Sequence, residues 1–289
     1  MEKKTFRIRK HDMENFREYL QEKENSSATI EKYTRDMKKF WGFCGGDQEI
    51  GKERLLEYKE WLMNSYSVNS ANSMIAALNQ FLVFIGMERL RIKRIRMQRA
   101  DIQRSGKHLD REEFRRLVRT ARAEGKDQLA MIMETMCATG IRVSELKFFK
   151  VESIKSGIVR VWNKGKYRVV IIPAALRKRL LLYILYISKN HIRSGLIFCT
   201  RTGKEKNRSN IWKEMKRIAD KAGIALEKVF PHNLRHLFAR TFYKVTKNLL
   251  NLADILGHSS LEVTRNYASD GINEWKRNLE KIELLENAT

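Results

Sequence analysis

Proline is nearly absent from this chain: Pro173 and Pro231 are the only two in 289 residues. Proline ends a helix by removing a backbone donor and crowding the preceding turn, so long helices are permitted almost everywhere. Apolar residues at the 3.6-residue period predict four of them in the first part of the chain. The first carries Met13, Phe16 and Leu20, and the second Ile30, Tyr33, Met37, Phe40 and Trp41. The third carries Leu55, Leu56 and Trp61, and the fourth Ala71, Ile75, Leu78, Leu82 and Ile85. Gly45-Gly46 and Gly86 read as stops. A second series begins at "LDREEF", where Asp110 as N-cap and Glu113 three residues later form a capping-box pattern. Two helices follow. The pattern then changes to period two over "GIVRVWNKGKYRVVIIP" (157–173), with "NKGK" as the polar turn of a β-hairpin. Helices resume over 174–190, 209–223, 232–245, 249–257 and 261–267. A last amphipathic stripe follows: Ile272, Trp275, Leu279, Ile282 and Leu285, a helix over 272–286.

Charge narrows the function. Lys and Arg outnumber Asp and Glu by 58 to 34, a formal charge of +24, which points to a polyanionic partner and first to nucleic acid. An anionic membrane is the rival, but the longest apolar run, "LLLYILYI" (180–187), is too short to span one. The opening "MEKKTFRIRKHDMENF" has no apolar signal core. Cys44, Cys137 and Cys199 are odd in number and far apart, which fits a reducing cytoplasm better than a disulfide framework. The stretch 89–107, "RLRIKRIRMQRADIQRSGK", holds a single acid and separates the two series. A solvated linker is its plain reading. A strap that tracks phosphates through Arg89, Arg91, Lys93, Arg94, Arg96, Arg99, Arg104 and Lys107 is the functional one. The expected organisation is mainly α: a helical domain over 1–98, a basic linker over 99–107, and a mostly helical domain with one small antiparallel hairpin over 108–289.

Four stretches of the second domain hold chemically useful groups. In "ATGIRVSEL" (138–146), Arg142 follows a Thr-Gly break and Glu145, one turn on, can hold its guanidinium. Alone this could be a surface ion pair of about 0–1 kcal/mol. The hairpin turn offers Lys164 or Lys166. In "PHNLRHLFAR" (231–240), His232 and Arg235 share a helical face and His236 follows. A guanidinium beside an imidazole is an awkward pair to bury unless an anion sits between them. In "LADILGHSSLEVTRNYAS" (252–269), His258 follows a helix-ending glycine and Tyr267 lies nine residues on. Paired carboxylates for a two-metal site, a phosphate-binding glycine loop and a zinc ligand pattern are all missing. Two arginines suit a phosphate whose charge grows in a transition state, a tyrosine can act as a covalent nucleophile, and a lysine can protonate a leaving oxygen. That chemistry needs no metal, ATP or other cofactor.

These motifs, in this order and at these separations, resemble the tyrosine recombinase (phage integrase) family, with an Xer-like two-domain layout. The catalytic part of the resemblance covers about residues 108–268. "NSSATIEKYTRDMKKFWGF" is similar, less specifically, to the family's SAM-like core-binding domain. The resemblance implies that Tyr267 attacks the scissile phosphate to leave a 3′-phosphotyrosyl link. Arg142, Arg235 and His232 would contact its non-bridging oxygens and His258 would hydrogen-bond the same group. Lys164, matching the first lysine of the family's "GKG" turn with Asn163 in place of the first glycine, would protonate the departing 5′ oxygen. Glu145 would buttress Arg142, and His236, within the family's "LRH" pattern, would support the site by packing. The partners implied are double-stranded recombination sites bound by a homotetramer, with the helix 272–286 docked on a neighbour. The place implied is the bacterial cytoplasm, at the nucleoid. The two-domain length leaves no room for a further arm-binding domain, and the tail after Tyr267 departs from the usual Xer ending. Integration and excision of a mobile element is therefore the expected role. Alternatives are chromosome-dimer resolution by a Xer-type enzyme, a type IB-like topoisomerase, and a catalytically silent DNA-binding regulator.

Overall fold

The computed structural model describes residues 5–46, 49–96, 108–163, 166–188 and 195–258, together with Leu261 and Thr264. The chain divides into two compact units, Met1–Ile102 and Gln103–Thr289.

The first unit contains the four helices the periodicity predicts: α1 (Lys10–Glu22), α2 (Ser27–Cys44), α3 (Lys52–Ser65) and α4 (Val68–Phe84). Ser26 and Ser67 cap α2 and α4 through their hydroxyls, and Gly45 ends α2 in the left-handed conformation. Phe16, Phe40 and Phe81 are fully buried at the centre, with Phe16 edge-on to Phe81 at 5.2 Å. A short antiparallel pair joins β1 (Phe6–Arg7) to β2 (Glu49–Ile50), which the sequence did not signal because each strand is only two residues long. The expected stripe of α3 is corrected. Leu56 and Trp61 lie on its exposed side, while Leu55, Tyr58 and Leu62 are buried. The last three fall within about 60° of one another at 100° per residue, whereas Leu56 and Trp61 lie about 90–130° away from their centre. Trp61 keeps an aromatic role outside the core, stacked on Tyr58 and against Phe43.

After α4 and a short 3₁₀ turn (Glu88–Leu90), the chain returns along α4 in extended form. Two asparagines two helical turns apart bind it. Asn79 donates to the Ile92 carbonyl and accepts from the Ile92 N–H, both at 2.9 Å. Asn72 does the same to Ile95, at 3.0 and 2.8 Å. Each amide thus serves as a backbone surrogate for a strand without a sheet. Ile92 points inward, while Arg89, Arg91, Lys93, Arg94 and Arg96 are exposed.

The second unit is built around α6 (Asp127–Thr139), largely apolar and buried from Leu129 to Met136. Around it lie α5 (Arg111–Ala123), α9 (Arg208–Lys221) and α10 (Pro231–Thr246); α11 (Leu249–Leu256) packs on α10. Asp110 and Glu113 form the capping box at the start of α5, with bonds of 2.7 and 3.0 Å. A 3₁₀ turn (Val143–Phe148) and α7 (Val151–Ser156) lead to the hairpin of β3 (Ile158–Asn163) and β4 (Lys166–Ile171), and α8 (Ala174–Ser188) follows. The antiparallel register runs from Ile158↔Ile171 to Asn163↔Lys166, so the two strands take up the outer residues of "NKGK". Val159, Val161, Val170 and Ile172 face the core. Among the described residues no helix is long and apolar enough to cross a membrane.

Candidate active site

The end of α6 positions the first arginine. Gly140 closes the helix at φ 66°, and the chain turns at once into the 3₁₀ segment with Arg142 as its N-cap. Glu145 reaches back over that turn. One carboxylate oxygen accepts the Arg142 backbone N–H at 2.8 Å, and the other accepts its guanidinium at 3.0 Å. Glu145 is 1% exposed and Arg142 37%, so a buried acid holds an arginine whose outer part meets solvent. This is no surface ion pair. A second guanidinium, Arg168 from β4, bonds the same Glu145 oxygen that takes the Arg142 N–H. Burial alone would raise the Glu145 pKa, but the Arg142 N–H and the charges of Arg168 and Arg142 outweigh it and hold the carboxyl below its ordinary range.

Arg235, on α10, is 1% exposed. Its fork spans two helix ends, donating to the Gly140 carbonyl at 2.5 Å and the Leu256 carbonyl at 2.6 Å. These are C-terminal carbonyls of α6 and α11, the negative ends of both dipoles, which is how the fold stabilises a buried cation. The same nitrogen that bonds Leu256 lies 3.0 Å from His258 Nε2. A guanidinium can only donate, so Nε2 is the acceptor and the imidazole carries its proton on Nδ1, 2.8 Å from the Thr264 hydroxyl. Gly140 also sits where no side chain fits: a Cβ there would lie 2.4 Å from Phe238 and 2.9 Å from Leu256.

His232 begins α10 on its exposed side, and its ring meets His236 edge-on at 4.5 Å. His232, His236 and His258 all have lowered pKa values. His232 is shifted by partial desolvation, then by the charges of Arg235, Arg142 and Arg208. His236 is pushed down to about 4 by burial, then by His232, His108, Arg240 and Arg235. His258 reaches about 4 by burial, then by Arg235, Arg142, His232 and Arg168. Burial first and the neighbouring guanidiniums second keep these histidines neutral, and a cluster of arginines beside neutral imidazoles suits an anion.

The structure therefore gathers Arg142, Glu145, Arg235, His232, His236 and His258 within one unit. Lys164 and Tyr267 lie outside the described residues, as do Arg99, Arg104, Lys107 and the segment 272–286. Three contributors escaped sequence reasoning. Arg168 occupies an inward register position of β4 beside Val170 and Ile172, and a charge at that period-two position was its signal. Arg208 gave none, because its effect on His232 arises from long-range packing, and Thr264 gave none although it lies only six residues from His258. Among the described residues no group of three or more His, Cys, Asp or Glu side chains could hold a metal ion.

The sequence matches the phage integrase family over residues 107–273. The chain belongs to this family. It is 30% identical to tyrosine recombinase XerA of Pyrococcus furiosus over 99% of this chain and 98% of that protein. Tyrosine recombinase XerD of Vibrio cholerae is 27% identical over 83% of this chain and 84% of that one. Among solved structures, a lambda integrase dimer bound to a COC′ core site shares the fold, with a TM-score of 0.74 at 18% identity over 97% of this chain and 100% of the other. As a member of the phage integrase family the protein is a tyrosine-type site-specific DNA recombinase.

Proposed function

We propose that the chain cuts and rejoins duplex DNA at a specific site through a 3′-phosphotyrosyl intermediate. Tyr267 attacks phosphorus, the bond to the 5′ oxygen breaks, and Lys164 protonates that oxygen. Arg142 and Arg235 bind the non-bridging oxygens as charge accumulates on them, where planar forks act best. His258 hydrogen-bonds the same phosphate by donating from Nε2 in its other tautomer, with Nδ1 accepting from the Thr264 hydroxyl, in place of the bond it now accepts from Arg235. His232, kept neutral, contacts the phosphate and can accept the tyrosine's proton. Glu145 fixes Arg142, and His236 packs under His232. The observation that carries this reading is the convergence of Arg142, Arg235 and His258 on the adjoining ends of α6 and α11.

The 5′ hydroxyl of a second strand then reverses the reaction on a new partner, without cofactor, in a homotetramer on two DNA sites in the cytoplasm, at the nucleoid. Residues 1–98 serve as core-binding domain, 99–107 as linker and 108–289 as catalytic domain. The strap residues Arg89, Arg91, Lys93, Arg94 and Arg96, together with Arg99, Arg104 and Lys107, track phosphates. The segment 272–286 docks on a neighbouring copy. A groove between α5 and α10 suits it, since Phe114, Val118, Phe238 and Phe242 line it beside Arg111, Arg115 and Arg119, and the segment pairs its apolar stripe with Glu280, Glu283 and Glu286. The biological role proposed is integration and excision of a mobile element. The alignment with XerA and XerD favours a second reading, chromosome-dimer resolution, and deleting the gene separates the two: loss of element excision against accumulation of chromosome multimers.

The chemistry is tested with a suicide duplex nicked near the cleavage position, drawn from sequence flanking the gene, in EDTA. Wild type is expected to form a covalent adduct on a denaturing gel and Tyr267→Phe none. Tight binding without any adduct from wild type would overturn the assignment.

A further inference from the structure

Arg168 is a cation of the site that neither the motifs nor the chemistry above requires, yet it is firmly tied down. It comes from β4, four residues beyond Lys164. One arm of its guanidinium donates to the Ile255 carbonyl of α11 at 2.5 Å, and the other bonds Glu145 Oε2. Its side chain is 11% exposed and runs against Gly257, where a Cβ would stand 2.6 Å from Arg168 Cδ. Gly257 is the left-handed cap of α11 at φ 62°, and His258 follows it directly. Arg168 thus touches three carriers at once: the hairpin of the proposed general acid, the carboxylate that aims Arg142, and the helix end that delivers His258 and leads to Tyr267.

We propose that Arg168 is a positioning residue for strand cleavage, a fork that locks the hairpin, the Arg142–Glu145 pair and the α11 cap into one register. The inference rests on the phosphotyrosyl reading above, because it concerns how that site is assembled.

Two physical consequences follow from the geometry. The first is charge. Arg142 and Glu145 alone would form a neutral pair, and a neutral pair attracts a phosphate weakly. With Arg168 the three groups sum to one net positive charge, presented through the exposed end of Arg142. The second is reach. A planar guanidinium can bond two acceptors on different elements at fixed spacing, whereas a lysine ammonium at the same place restores charge without that fork. The two substitutions Arg168→Gln and Arg168→Lys therefore separate the two functions.

The experiment uses the full chain and two readouts. In single-turnover cleavage of the suicide duplex, Arg168→Gln is expected to lower the rate constant on the order of 100-fold, as for loss of a preorganised electrostatic group, with DNA affinity within about 3-fold of wild type, since a buried side chain contributes little to the phosphate contacts that dominate binding. The final adduct amplitude should stay at the wild-type level; a merely structural lesion would instead lower the amplitude by inactivating part of the protein. Arg168→Lys restores the charge without the fork, so it should recover only part of the rate and stay below wild type. In amide hydrogen exchange on the free protein, both variants should lose protection at 142–148 and 253–258 while α6 stays protected. A wild-type cleavage rate in Arg168→Gln, or wild-type exchange at both segments, would overturn the proposal. Tyr267→Phe runs alongside: an adduct absent from wild type itself would sink the phosphotyrosyl reading, while the exchange data still decide whether Arg168 ties the three elements.

Discussion

Gly140 offers the sharpest test of how the site is held. It and Gly125 share a φ of 66° in the same unit, yet their surroundings differ completely. Around Gly125 a Cβ would meet nothing within 4 Å; at Gly140 it would overlap Phe238 at 2.4 and 2.7 Å and Leu256 at 2.9 Å. Gly125→Ala therefore costs only the left-handed backbone penalty, about 1–2 kcal/mol. Gly140→Ala adds overpacking against a helix side chain that cannot retreat freely, a further 1–3 kcal/mol or about 2–5 kcal/mol in total. The consequences also differ in kind. Phe238 and Leu256 belong to α10 and α11, and the Gly140 carbonyl is one of the acceptors of Arg235. Pushing them apart moves the Arg235 fork off its acceptors. Urea denaturation of both variants measures the first effect, and single-turnover adduct formation the second. Gly140→Ala should be less stable than Gly125→Ala by about 1–3 kcal/mol and should cleave at least 10-fold more slowly after correction for the unfolded fraction, since a misplacement of about 1 Å costs up to 100-fold. Equal stability losses for the two alanines would refute the steric reasoning. A normal rate in Gly140→Ala would refute the link from that glycine to Arg235.

The histidines predict a pH dependence of the same sign as that of salt-bridged carboxylates, but in a higher pH window. His236 binds its proton near pH 4 when folded and near 6.5 when unfolded, so the unfolded state takes up protons first and stability falls as pH drops from about 6.5 towards 4. At pH 5 this amounts to about 2 kcal/mol, and the stability gap between wild type and His236→Gln should shift by that amount between pH 7.5 and 5; a constant gap would show that His236 titrates normally. Asn72→Ala with Asn79→Ala removes both clamps on the strap 91–96, leaving its backbone groups without their partners at about 1–3 kcal/mol each. Protection at Ile92 and Ile95 should vanish in hydrogen exchange, and unchanged protection there would dismiss the clamp. DNA affinity should fall steeply with salt, with a log–log slope of roughly 0.9 per neutralised phosphate. Replacing Arg91, Lys93, Arg94 and Arg96 with alanine should flatten that slope, and an unchanged slope would remove the strap from the phosphate track.

Much of the fold was legible because it is local. Two prolines, apolar stripes at helical period, the Asp110 cap and glycine stops make α1, α2, α4 and the start of α5 legible, and the period-two pattern makes the hairpin so, since each signal is local in sequence. On α3 the stripe of Leu55, Leu56 and Trp61 failed because the three do not share a helical face; Leu55, Tyr58 and Leu62 do, and theirs is the buried side. The site divides in the same way. Arg142 with Glu145, and His232 with Arg235, could be read as pairs because one helical turn joins them. That Glu145 is buried, that Arg235 lies between the ends of α6 and α11, and that Arg168 crosses 23 residues of sequence to reach Glu145 could not be read at all. The sequence supplies the charges; the tertiary structure decides which of them lose water and meet a partner, and desolvation is what turns a surface ion pair into a positioned arginine.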